Sequence, residues 1–80
     1  MHYTYVLKCC EHKLYIGSSS NLRQRIDEHQ RRDVSSTRNR RPVQLIYYEA
    51  CLNKQLALAR EKYFKTGFGR SFLNKRIFIQ

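Results

Sequence analysis

The 80-residue chain is poor in residues that break or staple a fold. It has three glycines, one proline and no tryptophan, beside six tyrosines and four phenylalanines. That mix excludes a low-complexity or disordered segment, which needs the opposite composition. The three cysteines, Cys9, Cys10 and Cys51, are odd in number and contain no CxxC spacing. A disulfide framework or a structural zinc site would need more. They read as small hydrophobes of a reducing compartment, so a cytoplasmic protein is expected. No run approaches the roughly 18 apolar residues of a membrane span. His2, Lys8, Glu11, His12 and Lys13 interrupt residues 1–18, which argues against a signal peptide. The length fits one domain over residues 1–80, burying only roughly 60–65% of its unfolded surface.

Acidic residues are the other scarcity. Six stand against 16 lysines and arginines, for a net charge of +10. Such an excess favours a polyanion: nucleic acid first, an anionic membrane surface second. A merely solvated surface is the plain alternative. The membrane reading needs a basic helix with a bulky apolar face, and the first helix below offers only Leu22 and Ile26, so no membrane partner is expected. Residues 23–41 carry Arg23, Arg25, Arg31, Arg32, Arg38, Arg40 and Arg41, guanidiniums suited to bidentate phosphate contacts. From residue 50 onward one acid remains, Glu61, among seven bases that include Lys65 and Arg70.

What is present reads as a mixed α/β fold. Residues 2–9 and 14–18 are rich in β-formers and predict two strands joined by a short turn. Ser18 to Asn21 can cap a helix over residues 22–32. Residues 33–42 form a polar loop that ends in the only proline. A third strand is expected over 43–50. Asn53 caps a second helix over 54–66, with Gly67 as its terminator. The tail, 71–79, adds a last helical turn or two. The order is β-β-α-β-α-(α): a small three-stranded sheet flanked by helices.

Helical phase marks unusual positions. At 100° per residue, Ile26, His29 and Arg25 lie within about 60° of Leu22, with Asp27 and Glu28 towards water. Arg25 therefore either snorkels past the sheet edge or meets an anion that offsets its desolvation. In the second helix, Ala59, Arg60 and Tyr63 share the side of Leu56, and Glu61 lies about 140° away. Glu61 is either an i,i+4 partner of Lys65 or a metal ligand. Tyr5 and Tyr15, one on each of the first two strands, are either packing partners or part of a site. Gly17 in the second strand is the kind of residue that admits a close approach.

These residues together resemble a known family. Tyr3, Thr4 and Tyr5 stand at 3–5, Tyr-Ile-Gly at 15–17, and Arg25, His29 and Glu61 follow on helices. The pattern is similar to the GIY-YIG nuclease domain over nearly the whole chain. The segment ALAREKYFKTGFGRSFL looks like the small bacterial members, which also resemble the nuclease domain of the excinuclease C subunit. The first triplet departs from the family pattern, with Tyr3 where glycine is usual and Thr4 where isoleucine is usual.

The resemblance implies an endonuclease dependent on Mg²⁺ or Mn²⁺, hydrolysing DNA phosphodiesters to a 3′ hydroxyl and a 5′ phosphate. It implies that Glu61 holds the metal, Arg25 grips the scissile phosphate, Tyr15 activates water and Tyr5 positions that water. A tyrosine at its ordinary pKa of about 10 is a poor base at neutral pH, so a nearby cation must activate it. His29 either holds or relays the Tyr15 proton or is a half-buried histidine satisfied in place. Asn74 is a candidate to orient phosphate. Arg23, Arg31, Arg32, Arg38, Arg40, Arg41, Lys65 and Arg70 are expected to track the backbone without reading bases. Structure-selective or weakly sequence-selective nicking in repair or recombination follows from the lack of a base-reading module. Cutting both strands would need a homodimer or a second visit, and a targeting partner protein is the further open expectation. The alternative is a noncatalytic nucleic-acid-binding module on the same fold.

Overall fold

The computed structural model describes residues 1–31, Val34, Thr37, Arg40 and residues 42–77. Arg32, Arg38, Arg41 and most of the expected loop therefore lie outside the described residues. The elements are β1 (His2–Lys8), β2 (Leu14–Ser19), α1 (Leu22–Gln30), β3 (Gln44–Cys51), α2 (Lys54–Phe64) and α3 (Gly67–Ile77). A single 3-10 turn, Cys10–His12, links the first two strands. All strand pairs are antiparallel, in the order β2-β1-β3.

Strand β1 is central and covered on both sides. Thr4, Tyr5, Val6 and Leu7 are all buried, which is why this strand shows no polar alternation. Tyr5 and Leu7 face α1, in a core with Cys9 and Val43 and the flanking Tyr15, Leu22, Ile26 and Leu45. Val6 faces the other way, onto Phe64 of α2 and Leu73 of α3. The result is three layers: α1, the sheet, and the α2–α3 pair. Asn21 caps α1, its side chain accepting from the Gln24 N–H at 3.1 Å. Asn53 caps α2 in the same way through the Leu56 N–H at 2.9 Å.

Three expectations need correction. Gly67 does not end α2 in a left-handed turn. Helix α2 closes at Lys65, and Thr66 caps a new helix by accepting from the Gly69 N–H at 3.1 Å. The tail is thus an 11-residue helix, α3, rather than a last turn or two. A Cβ at Gly69 would drive into the Tyr63 carbonyl, so this glycine serves close helix packing. Second, the phase of α2 is set by Ala57 and Phe64, both fully buried, while Leu56 is 48% exposed. The small Ala57 lets α2 sit close on β1, where the Thr4 hydroxyl donates to the Ala57 carbonyl at 2.6 Å. Glu61, one turn beyond Ala57, is therefore half-buried rather than on the water side. Third, only Cys9 is a core cysteine; Cys10 and Cys51 are half-buried.

Arg60 follows from the same phase. Its guanidinium makes a two-pronged bond to the Glu49 carboxylate, at 2.8 and 3.0 Å. It lies over the rings of Tyr63, Phe64 and Phe72 at 4.9, 4.7 and 5.3 Å. The charge is covered by a carboxylate and aromatic faces, which offsets its desolvation. This cluster ties β3 to α2 and α3. Among the described residues, no helix is long and apolar enough to cross a membrane.

Candidate active site

The site forms where the α1 face of the sheet meets its β2 edge. Tyr5 comes from β1, Tyr15 and Gly17 from β2, and Arg25 and His29 from the inward side of α1. In the β1–β2 register Tyr5 sits opposite Gly17. A Cβ on Gly17 would lie 2.6 Å from Tyr5 Oη, 2.8 Å from Tyr5 Cζ and 3.1 Å from Tyr15 Cε1. The glycine is required because the Tyr5 ring crosses directly over it. The two tyrosine rings lie 6.3 Å apart.

His29 is fully buried. Its Nε2 is 2.9 Å from Tyr5 Oη and its Nδ1 is 2.7 Å from Thr37 Oγ1. Burial, then the Arg25 charge, lowers its pKa, with Glu28 opposing, so the imidazole is neutral at pH 7. A neutral ring donates through one nitrogen and accepts through the other. The hydrogen bonds thus run in one direction along Tyr5, His29 and Thr37, whichever tautomer is present. His29 is satisfied in place, and its link to Tyr15 is a ring-edge contact at 5.1 Å. The expected relay of the Tyr15 proton is not what the geometry offers; the hydroxyl bonded to His29 belongs to Tyr5.

Tyr5 is 1% exposed. Burial raises its pKa, while hydrogen bonding and charge from Arg25 pull it down and the Tyr15 and Glu61 charges push it up. Its hydroxyl is committed to neighbouring side chains. The expected water contact of Tyr5 is a matter for the functional reading; the bond its hydroxyl makes here is to His29 Nε2. Tyr15 is half-buried, more exposed than Tyr5.

Arg25 is half-buried and bonds to Glu28 Oε1 at 3.2 Å. Bonding to Tyr5 keeps it firmly protonated, against the cost of burial. Glu28 is thus not simply a water-facing acid; it holds the guanidinium beside the tyrosines. Glu61 stands on α2, which packs on β1 and β2 from the other side of the sheet, and its charge helps raise the Tyr5 pKa, with a smaller effect than burial, Arg25 or Tyr15. Its carboxylate also pairs with Lys65 Nζ at 3.0 Å, so the salt bridge weighed from sequence is present. Among the described residues, no three His, Cys, Asp or Glu side chains converge as a metal cage. One carboxylate, with water and phosphate completing the shell, is the pattern of a magnesium-type ion. The donor set fits that ion and not a caged zinc.

The remaining predicted residues spread out. Arg23 is exposed beside a groove along α1. Arg31 closes α1. Arg40, Arg70 and Asn74 line a separate pocket on the other face of β2. Sequence reasoning missed Thr37, buried beneath His29, and the Glu28 partnership of Arg25. Nothing local distinguishes Thr37 from the neighbouring serines, whereas the i,i+3 spacing of Arg25 and Glu28 was readable.

A family model described as the GIY-YIG catalytic domain matches residues 1–76. The chain belongs to the GIY-YIG family. A UPF0213 protein of Clostridium perfringens is 44% identical over 66 residues, covering 81% of this chain and 71% of that protein. A UPF0213 protein of Haloquadratum walsbyi is 35% identical over 66 residues, covering 81% of this chain and 74% of that protein. The solution NMR structure of a UPF0213 protein from Bacillus halodurans superposes with a TM-score of 0.59 at 27% identity, covering 94% of this chain and 83% of that one. Tyr3 and Thr4 stand at the first triplet of the GIY-YIG pattern, and Tyr15-Ile16-Gly17 supply the second.

Proposed function

We propose that this GIY-YIG protein is a divalent-metal-dependent endonuclease that nicks DNA with structural or weak sequence selectivity. The observation that carries the reading is the cluster of Tyr5, Tyr15, Arg25 and His29 at the β2 edge, with Glu61 on the neighbouring α2 as the expected metal ligand. A basic surface alone would need none of it.

In this reading Arg25 exchanges Glu28 for the scissile phosphate, which its planar fork matches. Tyr15, having first given its own proton to solvent, would take the proton of the attacking water. Tyr5 and His29 fix Tyr15 and Arg25 against each other, so that a small misplacement is costly to rate. Glu61 would hold Mg²⁺ or Mn²⁺, which stabilises charge on the phosphate and the departing 3′ oxygen. Water adds to phosphorus, the 3′ oxygen leaves and takes up a proton, and a 5′ phosphate remains. Lys65 must release Glu61 as the cation arrives.

The test is incubation of purified protein with branched, flapped and nicked DNA, with Mg²⁺ or Mn²⁺ and with chelator. Metal-dependent nicking that Glu61→Ala abolishes supports the reading. Salt-sensitive binding without cleavage of any substrate would instead indicate a noncatalytic nucleic-acid-binding module.

A further inference from the structure

A second cluster of cationic and polar donors lies on the far face of β2 from the tyrosines. His12, Lys13, Arg40, Arg70 and Asn74 line a cavity of about 400 Å³. Its apolar wall is Leu14, Ile16 and Leu73, the last fully buried. Among the described residues no carboxylate lines it. Glu11 pairs with Lys13 at 3.7 Å, but both side chains are exposed, so the ammonium is free to turn inward. An apolar wall behind several donors strengthens their attraction for an anion by excluding water.

The backbone holds this arrangement. Glu11 and His12 adopt φ of 60° and 61°, a left-handed pair without glycine, which L side chains disfavour. The turn is closed by the Cys9 N–H donating to the Lys13 carbonyl at 2.7 Å. Arg40 is tied to the same turn, its carbonyl accepting from the Cys10 N–H at 2.9 Å. The Arg40 N–H in turn donates to the carbonyl of Thr37, the residue that bonds His29. Ile16, in the pocket wall, lies between Tyr15 and Gly17 of the catalytic face. The two sites are therefore opposite faces of one edge strand.

We propose that this pocket binds a backbone phosphate of the nucleic acid other than the one cut. The strand would pass around the β2 edge, with one phosphate at Arg25 and another among Lys13, Arg40 and Arg70. The proposal rests on the nucleic-acid reading above but not on catalysis.

The experiment uses the full chain in chelator, so that cleavage plays no part. Duplex and flapped DNA affinity is measured against salt for the wild type, Lys13→Gln, Arg70→Gln and the exposed control Lys54→Gln. Loss of one duplex phosphate contact lowers the slope of log affinity against log salt by about 0.9. The expected result is that drop for Lys13→Gln and Arg70→Gln, with Lys54→Gln unchanged. In parallel, inorganic phosphate is titrated and followed by NMR. Saturable shifts at the His12 ring, the Arg70 side chain and the Asn74 amide, lost in Arg70→Gln, support the pocket; dispersed spectra of each variant show that it is folded. Equal slopes in all four proteins would overturn the proposal, as would phosphate shifts spread without saturation over every basic residue. Saturable phosphate binding with unchanged DNA slopes would also overturn it, by assigning the pocket to a free anion. Absence of nicking in the separate assay with Mg²⁺ or Mn²⁺, with the slopes here altered as expected, would refute the nuclease reading and leave the pocket standing.

Discussion

Replacing Gly17 with alanine should injure stability and catalysis together. The new Cβ would stand 2.6 Å from Tyr5 Oη, and ordinary contact begins at 3.4 Å. The hydroxyl must therefore retreat by about 0.8 Å, or β2 must move away from β1. A tyrosine hydroxyl at a free surface would swing aside cheaply. This one is 1% exposed and bonded to His29 at 2.9 Å. His29 is itself held by Thr37, so the movement disturbs a buried chain of bonds. Overpacking of this kind costs about 1–3 kcal/mol. For a domain of this size each kcal/mol lowers Tm by roughly 4–8 °C, so thermal unfolding should shift downward by at least about 4 °C. The second nearest ring is Tyr15, and a displacement near 1 Å in a reacting site costs about 100-fold in rate. Calorimetry or circular dichroism reads the first effect and nicking at saturating metal the second. An alanine variant with wild-type Tm and wild-type nicking would refute the claim that Tyr5 lies locked over this glycine.

Other predictions concern the same group of side chains. Because His29 has its pKa lowered in the fold, the unfolded chain takes up a proton first as pH falls below about 6.5. Stability should be level above that pH and decline below it, by at most about 1.4 kcal/mol per pH unit, until the native ring protonates. Tm against pH measures the decline, and an NMR titration showing His29 protonating at or above 6.5 would contradict it. Thr37→Val removes the hydroxyl on Nδ1 and leaves a buried ring nitrogen unpaired, at a cost of about 1–3 kcal/mol; urea unfolding with an unchanged midpoint would count against that bond. Lys65→Ala releases Glu61 from an exposed pair worth about 0.3–0.5 kcal/mol. The metal concentration for half-maximal nicking should then fall about twofold, and a rise would show that Lys65 assists the site rather than competing for its carboxylate.

The sequence made much of this arrangement legible through short-range signals. Asn21 and Asn53 announce their helices because capping is a local contact, and β1 shows itself as an unbroken run of β-formers. The inward positions of His29 and Arg25 follow from the phase of a helix with two clear apolar residues. Helix α2 misled because its most apolar-looking stripe is not the buried one. Leu56 is the larger hydrophobe, but close packing against Thr4 selects Ala57, and that rotation brings Glu61 in from the water side. The α2–α3 boundary was hidden for a related reason: Gly67 resembles a stop, and only the Thr66 cap and the tight seat of Gly69 show a new helix beginning. The Thr37 contact spans the loop after α1, a relation that no periodicity encodes.

The central claim is that Glu61 binds a divalent cation beside a phosphate held by Arg25. The direct measurement is anomalous diffraction from crystals grown with a nicked or flapped duplex and soaked in Mn²⁺. The account predicts a manganese peak on the Glu61 carboxylate, Lys65 withdrawn from it, and Arg25 turned from Glu28 to a phosphate oxygen. A bound duplex with manganese elsewhere, and Glu61 still paired to Lys65, would contradict it.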